Sequence, residues 1–249
     1  MFLISLIGKV GNKKPPFCSV VIAAAGESQR MGGVDKLFAE IHGIPVLVHT
    51  LLAFQGCAEI AEIVIVVRQE HLERVGRLCE DHRITKVAKI IAGGHTRLAS
   101  VTNGVFAVSK KAKLIAIHDG ARPCVSQEII KCALLEAAKL HASAPAVPVD
   151  STIKRVRGKT VVETIDRGDV FEIQTPQVFN SDLIKAALTN AANKSIKITD
   201  DCMAVEALGV NVSITQGSRQ NIKLTTSEDI ILAEAILRRV ESRELRVES

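Results

Sequence analysis

Arg30 and Lys36 stand six residues apart in "VVIAAAGESQRMGGVDKLF", residues 20–38, directly behind a run of β-branched residues and alanines. A loop of small residues lets backbone N–H groups approach an anion, and two cations supply charge to hold it. That chemistry suits a phosphate or a base edge held close to the main chain. The loop lacks P-loop spacing, because Gly32 is the sixth residue after Gly26 and no Lys-Ser/Thr follows. It also lacks the dinucleotide fingerprint: Ser28 follows Gly26, and the next strand ends in Arg68 rather than an acid. An ordinary βα turn with two surface cations would read the same way.

Other stretches carry candidate chemistry. "AGGHTRLASVTNGV", 92–105, puts Gly93 and Gly94 at a strand end and sets Arg97 and Ser100 one helical turn apart, although Thr96 there also serves as a plain N-cap. "IHDGARP", 117–123, places Asp119 beyond a buried strand, where a carboxylate can hold Mg²⁺ and Arg122 can grip a phosphate. A common Asp-Gly turn with Arg122 paired to Asp119 is the competing reading. "DRGDVFEIQTPQVF", 166–179, offers Arg167 and the Thr175 hydroxyl. "RQNIKLTTSED" sets Lys223 inside a short predicted strand, an unusual place for a surface lysine, which points it toward a cleft. "TDD", 199–201, reads as a helix cap with acids complementing the helix dipole. His49, His71, His82 and His141 read as surface helix residues, and no pair has metal spacing.

The elements that must position these residues alternate. Strands are predicted at Ser19–Ala23, Ile63–Val67, Lys89–Ala92, Leu114–His118 and Ala146–Val149. Helices are predicted at Pro45–Gln55, Glu70–Asp81, Leu98–Val108 and Gln127–His141. This βαβα order implies a doubly wound, mostly parallel α/β sheet. Ligands of such sheets bind at the carboxyl ends of strands, so the loops after Ala23, Ala92, His118 and Val149 are the ones to watch. Beyond 150 the pattern becomes a β-hairpin turning at Arg157-Gly158-Lys159, poor in large apolar residues. Such an arm gains little by folding back and suits contact with another subunit. Helices Asp182–Ala192 and Asp200–Leu208, strand Val212–Thr215 and a last helix with Thr226 and Asp229 at capping-box spacing follow. Residues 1–16 read as an extension, 17–240 as one domain with the arm at about 150–166, and 241–249 as a tail.

Composition narrows the function. The 249 residues are 47% hydrophobic and 24% charged, ordinary for a folded soluble chain. Aromatics are 3%, with no Trp or Tyr, which argues against base-stacking platforms, and the net charge of +5 is spread out. A small anionic substrate fits better than nucleic acid. Six cysteines without CxxC or zinc spacing read as reduced thiols in a cytoplasm. The N-terminal apolar run is too short for a membrane span or a signal core.

Together and in this order, "AAAGESQRM", Lys36, "GGHTRLASV", "HDGARP", "DSTIKR", "DRGDVFEIQTPQVF", "TDD" and "NIKLTTSED" resemble the 2-C-methyl-D-erythritol 4-phosphate cytidylyltransferases of the non-mevalonate isoprenoid pathway, from about residue 18 to 238. The resemblance implies a Rossmann-like fold of the nucleotide-diphospho-sugar transferase type with a protruding arm. It implies attack of a polyol phosphate on the α-phosphorus of CTP with Mg²⁺, in a homodimer joined through the arm. By motif, Arg30 and Lys36 would stabilise the transition state, with Arg167 and Lys223 completing the catalytic set. Ala24, Ala25, Gly26, Gly94, Arg97 and Ser100 would hold CTP. Asp119 would bind metal or substrate, and Arg122, Thr152 and Thr175 would position the acceptor. Ser28 stands where many relatives have glycine, "GGVD" before Lys36 is short, and His95 stands where relatives often carry Asp, which removes that carboxylate from the cytosine amine. A ribitol 5-phosphate cytidylyltransferase, another sugar nucleotidyltransferase and a non-catalytic nucleotide sensor on this fold are the alternatives.

Overall fold

A computed structural model describes residues 17–26 and 35–247; the expected N-terminal extension and Arg30 lie outside the described residues. The chain runs β1 (Cys18–Ala24), β2 (Glu40–Ile41), β3 (Ile44–Pro45), α1 (Val46–Gln55), β4 (Ile60–Val67), α2 (Leu72–Asp81), β5 (Val87–Ala92), α3 (Arg97–Ala107), β6 (Leu114–Asp119), α4 (Gln127–Leu140) and β7 (Ala142–Pro148). It continues through β8 (Ile153–Arg157), β9 (Thr160–Ile165), β10 (Phe171–Ile173), β11 (Gln177–Asn180), α5 (Ser181–Asn193), α6 (Asp201–Glu206), β12 (Ser213–Gln216) and α7 (Glu228–Val247).

β1 is the middle of the sheet, parallel to β4 on one side and β6 on the other, with β5 parallel to β4 beyond. A strand covered on both faces needs apolar side chains at most positions, which is why β1 and β4 read as apolar runs interrupted by Ser19 and Glu62, which hydrogen-bond each other, whereas β5 is partly exposed. Successive residues still alternate between two cores. Val20, Ile22 and Ala24 join α1, α2, α4 and α7, whereas Val21 joins α3, α5 and α6. Helix α3 lies so close to the sheet that a Cβ on Gly104 would stand 2.4 Å from Val21 Cγ1. Only glycine allows that approach.

Several predicted elements need correction. β7 begins at Ala142, four residues earlier than expected, and α4 ends at Leu140 with His141 in the left-handed region. The run "ASAPAV" hid this strand because alanines favour helices and a proline argues against an inner strand. The sheet also contains β11, antiparallel to both β6 and β7 and seated between them. A four-residue strand following a Thr-Pro turn offers too few residues for a period to show. Lys223 lies in irregular chain, not in a strand. Pro45 ends β3 and is the N-cap of α1 rather than a residue of its first turn.

The arm is as expected. β8 and β9 pair only with each other, Arg157 opposite Thr160, across the two-residue turn Gly158-Lys159 with Gly158 at φ +63°. Thr96 caps α3 as read from the sequence, and Ser126 caps α4.

Candidate active site

A cavity of about 610 Å³ opens over the carboxyl ends of β1, β4, β5 and β6. Its lining brings together nine of the fourteen residues singled out above: Ala24, Ala25, Gly26, Lys36, Gly94, Arg97, Ser100, Asp119 and Lys223. Arg68, His95, Thr96 and Thr225 join them. Loops after β1, β5 and β6 therefore meet as the topology requires, while the loop after β7 does not reach the cavity.

The β5–α3 loop approaches the β1 loop directly. A Cβ on Gly93 would lie 2.4 Å from the Ala25 Cβ. The Ser100 hydroxyl then ties the loop to its helix: it accepts from the Gly94 N–H at 3.1 Å and lies within bonding distance of the Gly94 and Thr96 carbonyls. Gly94 thus lines the cavity with its main chain tied to Ser100, and a Cβ there would stand 2.5 Å from the Ala99 Cβ, a fit that only glycine allows.

Charge is concentrated at the end of β6. The Asp119 carboxylate faces Lys223 Nζ at 2.9 Å, Arg122 Nε at 3.5 Å and Arg97 Nη2 at 3.9 Å. Burial pushes its carboxyl up, but Lys223, Arg97 and Arg122 overcome this and hold it down at about 2. Arg97 is set by a second acid, donating 2.9 Å hydrogen bonds from both terminal nitrogens to the two oxygens of Asp201. Burial opposes the Arg97 charge, yet the two carboxylates raise its value further. Asp201 is fully buried, and that burial raises its carboxyl against the pull of Arg97. Its backbone N–H and that of Cys202 donate to Gln177 Oε1. The sequence reading of "TDD" holds: Asp200 caps α6 and Asp201 is the acid of its first turn, but Asp201 is also the ion-pair partner of Arg97, which the sequence did not show.

Two residues expected beside the acceptor lie beneath this cluster. Arg122 is buried and donates to the Asn221 carbonyl at 2.7 Å. Thr175 is buried, accepts from the Asp119 N–H at 3.2 Å and contacts His118 Nδ1 at 2.9 Å. The other His118 nitrogen lies 3.3 Å from the Arg122 carbonyl, so Nε2 carries the proton and Nδ1 accepts. Burial drives His118 down to about 3. Asn221, wholly buried, donates to the Thr175 carbonyl, and Leu224 N–H donates to Ala121 O. These bonds, not a strand, aim Lys223 at the cavity, and Lys36 Nζ meets the same segment at Leu224 O, 3.0 Å. Thr152 and Arg167 are exposed and outside the cavity lining.

Among the described residues, the cavity lining presents the cationic side chains of Lys36, Arg68, Arg97 and Lys223 and the carboxylate of Asp119. That field is complementary to a polyphosphate. The family model for 2-C-methyl-D-erythritol 4-phosphate cytidylyltransferase (IspD) matches residues 18–239. The chain belongs to this family. It is 46% identical over 226 residues to the 2-C-methyl-D-erythritol 4-phosphate cytidylyltransferase of Halalkalibacterium halodurans, covering 90% of this chain and 99% of the relative. It is 42% identical over 221 residues to that of Dehalococcoides mccartyi, covering 88% and 95%. Among solved structures, the 4-diphosphocytidyl-2C-methyl-D-erythritol synthase of Anaerococcus prevotii superposes with TM-score 0.80 at 31% identity, covering 90% of this chain and 97% of that one. The Thermus thermophilus cytidylyltransferase gives 0.75 at 31%, covering 88% and 98%. The parallel strand order and flanking helices are therefore the fold of the IspD family.

Proposed function

We propose that the chain transfers CMP from CTP to 2-C-methyl-D-erythritol 4-phosphate, giving 4-diphosphocytidyl-2-C-methyl-D-erythritol and pyrophosphate. The observation that carries this reading is the Asp119 cluster, three cations around one carboxylate at a sheet end, inside a cavity floored by two small-residue loops. An acceptor phosphate oxygen attacks the α-phosphorus, the bridging P–O bond to the β-phosphate breaks, and pyrophosphate leaves with the electron pair. A phosphate monoester has its second pKa near 6, so at pH 7 it is mostly dianionic and needs no general base. The obstacle is bringing two anions together, and preorganised cations lower it. The Ser100 hydroxyl is engaged by backbone groups rather than by a base, consistent with direct phosphate attack.

In this reading, Gly94 and Ser100 form the wall against the nucleotide, Arg97 and Lys36 meet its phosphates, and Lys223 receives the acceptor. Arg122, Thr175 and His118 act from below, fixing where Asp119 and Lys223 stand. Among the described residues no three His, Cys, Asp or Glu side chains converge as a metal cage. One ionised carboxylate with substrate phosphates and water is nonetheless an ordinary Mg²⁺ shell, and Asp119 is the residue that would supply it. The ion would neutralise phosphate charge there. Thr152, Arg167 and the exposed arm find a role if the enzyme is a homodimer in which each arm completes or braces a pocket. The same reading makes the enzyme cytoplasmic; among the described residues no helix is long and apolar enough to cross a membrane.

The test is pyrophosphate release with CTP, Mg²⁺ and each of two acceptors. Methylerythritol phosphate is expected to turn over, and ribitol 5-phosphate much more slowly. Equal or better turnover of ribitol phosphate would overturn the acceptor assignment and leave the reaction class standing.

A further inference from the structure

Lys36 carries its charge on a flexible four-carbon stem, so its aim depends on how firmly its backbone is seated. The turn that bears it is fastened by its neighbour. Asp35 O accepts from the Phe38 N–H at 2.9 Å, and Asp35 Oδ1 accepts from the Leu37 N–H at 3.1 Å. The other carboxylate oxygen, Oδ2, receives Arg68 Nη2 at 2.6 Å and has His71 Nε2 at 3.0 Å. Arg68 is the residue just past the end of β4, and its other terminal nitrogen meets Glu70 at 3.1 Å. His71 Nε2 also stands 2.6 Å from Arg68 Nη2, and one nitrogen serves only one of the two partners at a time. His71 is therefore no surface helix residue. Its ring meets Phe38 edge-on at 4.8 Å, and Arg74 covers the Phe38 ring at 3.7 Å.

These contacts join residues 35–38 to the strand that pairs with β1, beside the small-residue loop of the cavity. The Asp35 side chain is 15% exposed and that of Arg68 is 32% exposed, so the pair is more desolvated than a surface ion pair. Removing Arg68 leaves a mostly buried carboxylate with one partner fewer and frees the turn to shift. At its tip the Lys36 ammonium donates to the Leu224 carbonyl at 3.0 Å.

We propose that Arg68 is a positioning residue for the transfer reaction, acting through Asp35 to hold Lys36 on the reacting phosphates. This rests on the role given to Lys36 above. Arg68 lines the cavity, yet its terminal nitrogens are engaged by Asp35 and Glu70, so its effect travels through the turn rather than through the nucleotide.

The experiment is a double-mutant cycle on the full chain, with pyrophosphate release as the readout and thermal unfolding recorded for each variant. Arg68→Ala is expected to lower kcat about ten- to a hundredfold, the scale of a displacement of about 1 Å at a reacting centre, with the KM for CTP within about threefold. In the Lys36→Ala background the same substitution is expected to cost no more than about twofold. Asp35→Asn keeps an acceptor for Leu37 N–H and is expected to reproduce the Arg68→Ala loss, which keeps the idea testable if Arg68→Ala folds poorly. Additive losses in the double variant, or a raised KM for CTP at unchanged kcat, would overturn the inference by making Arg68 an independent nucleotide contact. Wild-type turnover by Lys36→Ala would instead overturn the role of Lys36. A large loss in Lys36→Ala beside wild-type kcat in Arg68→Ala and Asp35→Asn would overturn the positioning role alone.

Discussion

The end of β6 and the arm of β8 and β9 solve opposite problems. At the end of β6 the polar groups are held by several partners: Asp119 by three cations, Arg97 by two acids, Thr175 by His118 and the Asp119 N–H. The arm has its own ladder, an exposed Arg155–Glu163 pair at 3.2 Å, and valines 156, 161 and 162 more than half exposed. A two-stranded ribbon alone is marginal in water. On the reaction proposed above, groups that must be placed beside the reacting phosphorus to a precision of a fraction of an ångström are built on the buried sheet. On the dimer proposed above, groups that reach out would be left for a partner surface to order. If so, damage to the cluster should appear in chemistry, and damage to the arm should appear in the use of the acceptor.

The largest effect expected is that of Lys36→Ala, which should lower kcat by roughly two to four orders of magnitude, as removal of a single electrostatic donor does elsewhere. CTP binding, read by isothermal titration, should change far less, because the charge is wanted most when the α-phosphorus is five-coordinate. Loss of CTP affinity in proportion to rate would make Lys36 a ground-state binder.

Arg167→Lys should raise the acceptor KM and lower kcat, together roughly ten- to a hundredfold in kcat/KM, while sparing CTP, since lysine cannot reproduce a bidentate grip on phosphate. If CTP affinity fell equally, Arg167 would belong with the cavity and the two regions would not divide the work.

Asp201→Asn should weaken CTP binding by about tenfold and lower stability by about 1–3 kcal/mol, because Arg97 keeps one hydrogen bond but loses its buried counter-charge. Unchanged CTP affinity alongside lost stability would make Asp201 a purely structural partner.

The last effect is on acid stability rather than on turnover. His118 sits at about 3 in the fold, below the ordinary imidazole value of about 6.5. The unfolded chain therefore binds a proton that the native state refuses. This contribution is whole above about pH 6.5 and is lost as pH falls toward 3, at up to about 1.4 kcal/mol per pH unit. Asp119 acts in the same sense lower down, its contribution present above about pH 4 and lost toward 2. Urea midpoints from pH 7 to 4 should fall more steeply for the wild type than for His118→Asn. Parallel curves would mean that His118 is not held neutral.

What was legible in the sequence follows from how local each signal is. The strand ends with Gly26, Gly93, Gly94 and Asp119 were readable because buried parallel strands are unbroken apolar runs and their loops must meet at one edge. β11 and the early start of β7 were not, because "QVFN" is too short for a period and "ASAPAV" looks like anything but an inner strand. Only half of the role of Asp201 was readable, because a helix-starting acid reads the same whether it faces water or an arginine 104 residues earlier. Asn221 stood inside a marker read only for Lys223, and Arg68 was noted only as the end of a strand: one is a buried bracket, the other a cation defined by Asp35 across 33 residues. The placement of Lys223 was right for the wrong local reason, since Asn221 and Leu224 rather than strand pairing point it inward.

The division of labour between sheet and arm is tested most directly by deleting residues 153–164 and measuring, on the same preparation, CTP affinity, molar mass and pyrophosphate release. A monomer that binds CTP as the wild type does and turns over methylerythritol phosphate at a small fraction of its rate is expected. A variant that stays dimeric, or a monomer with full turnover, would contradict it and leave the arm as a surface ornament.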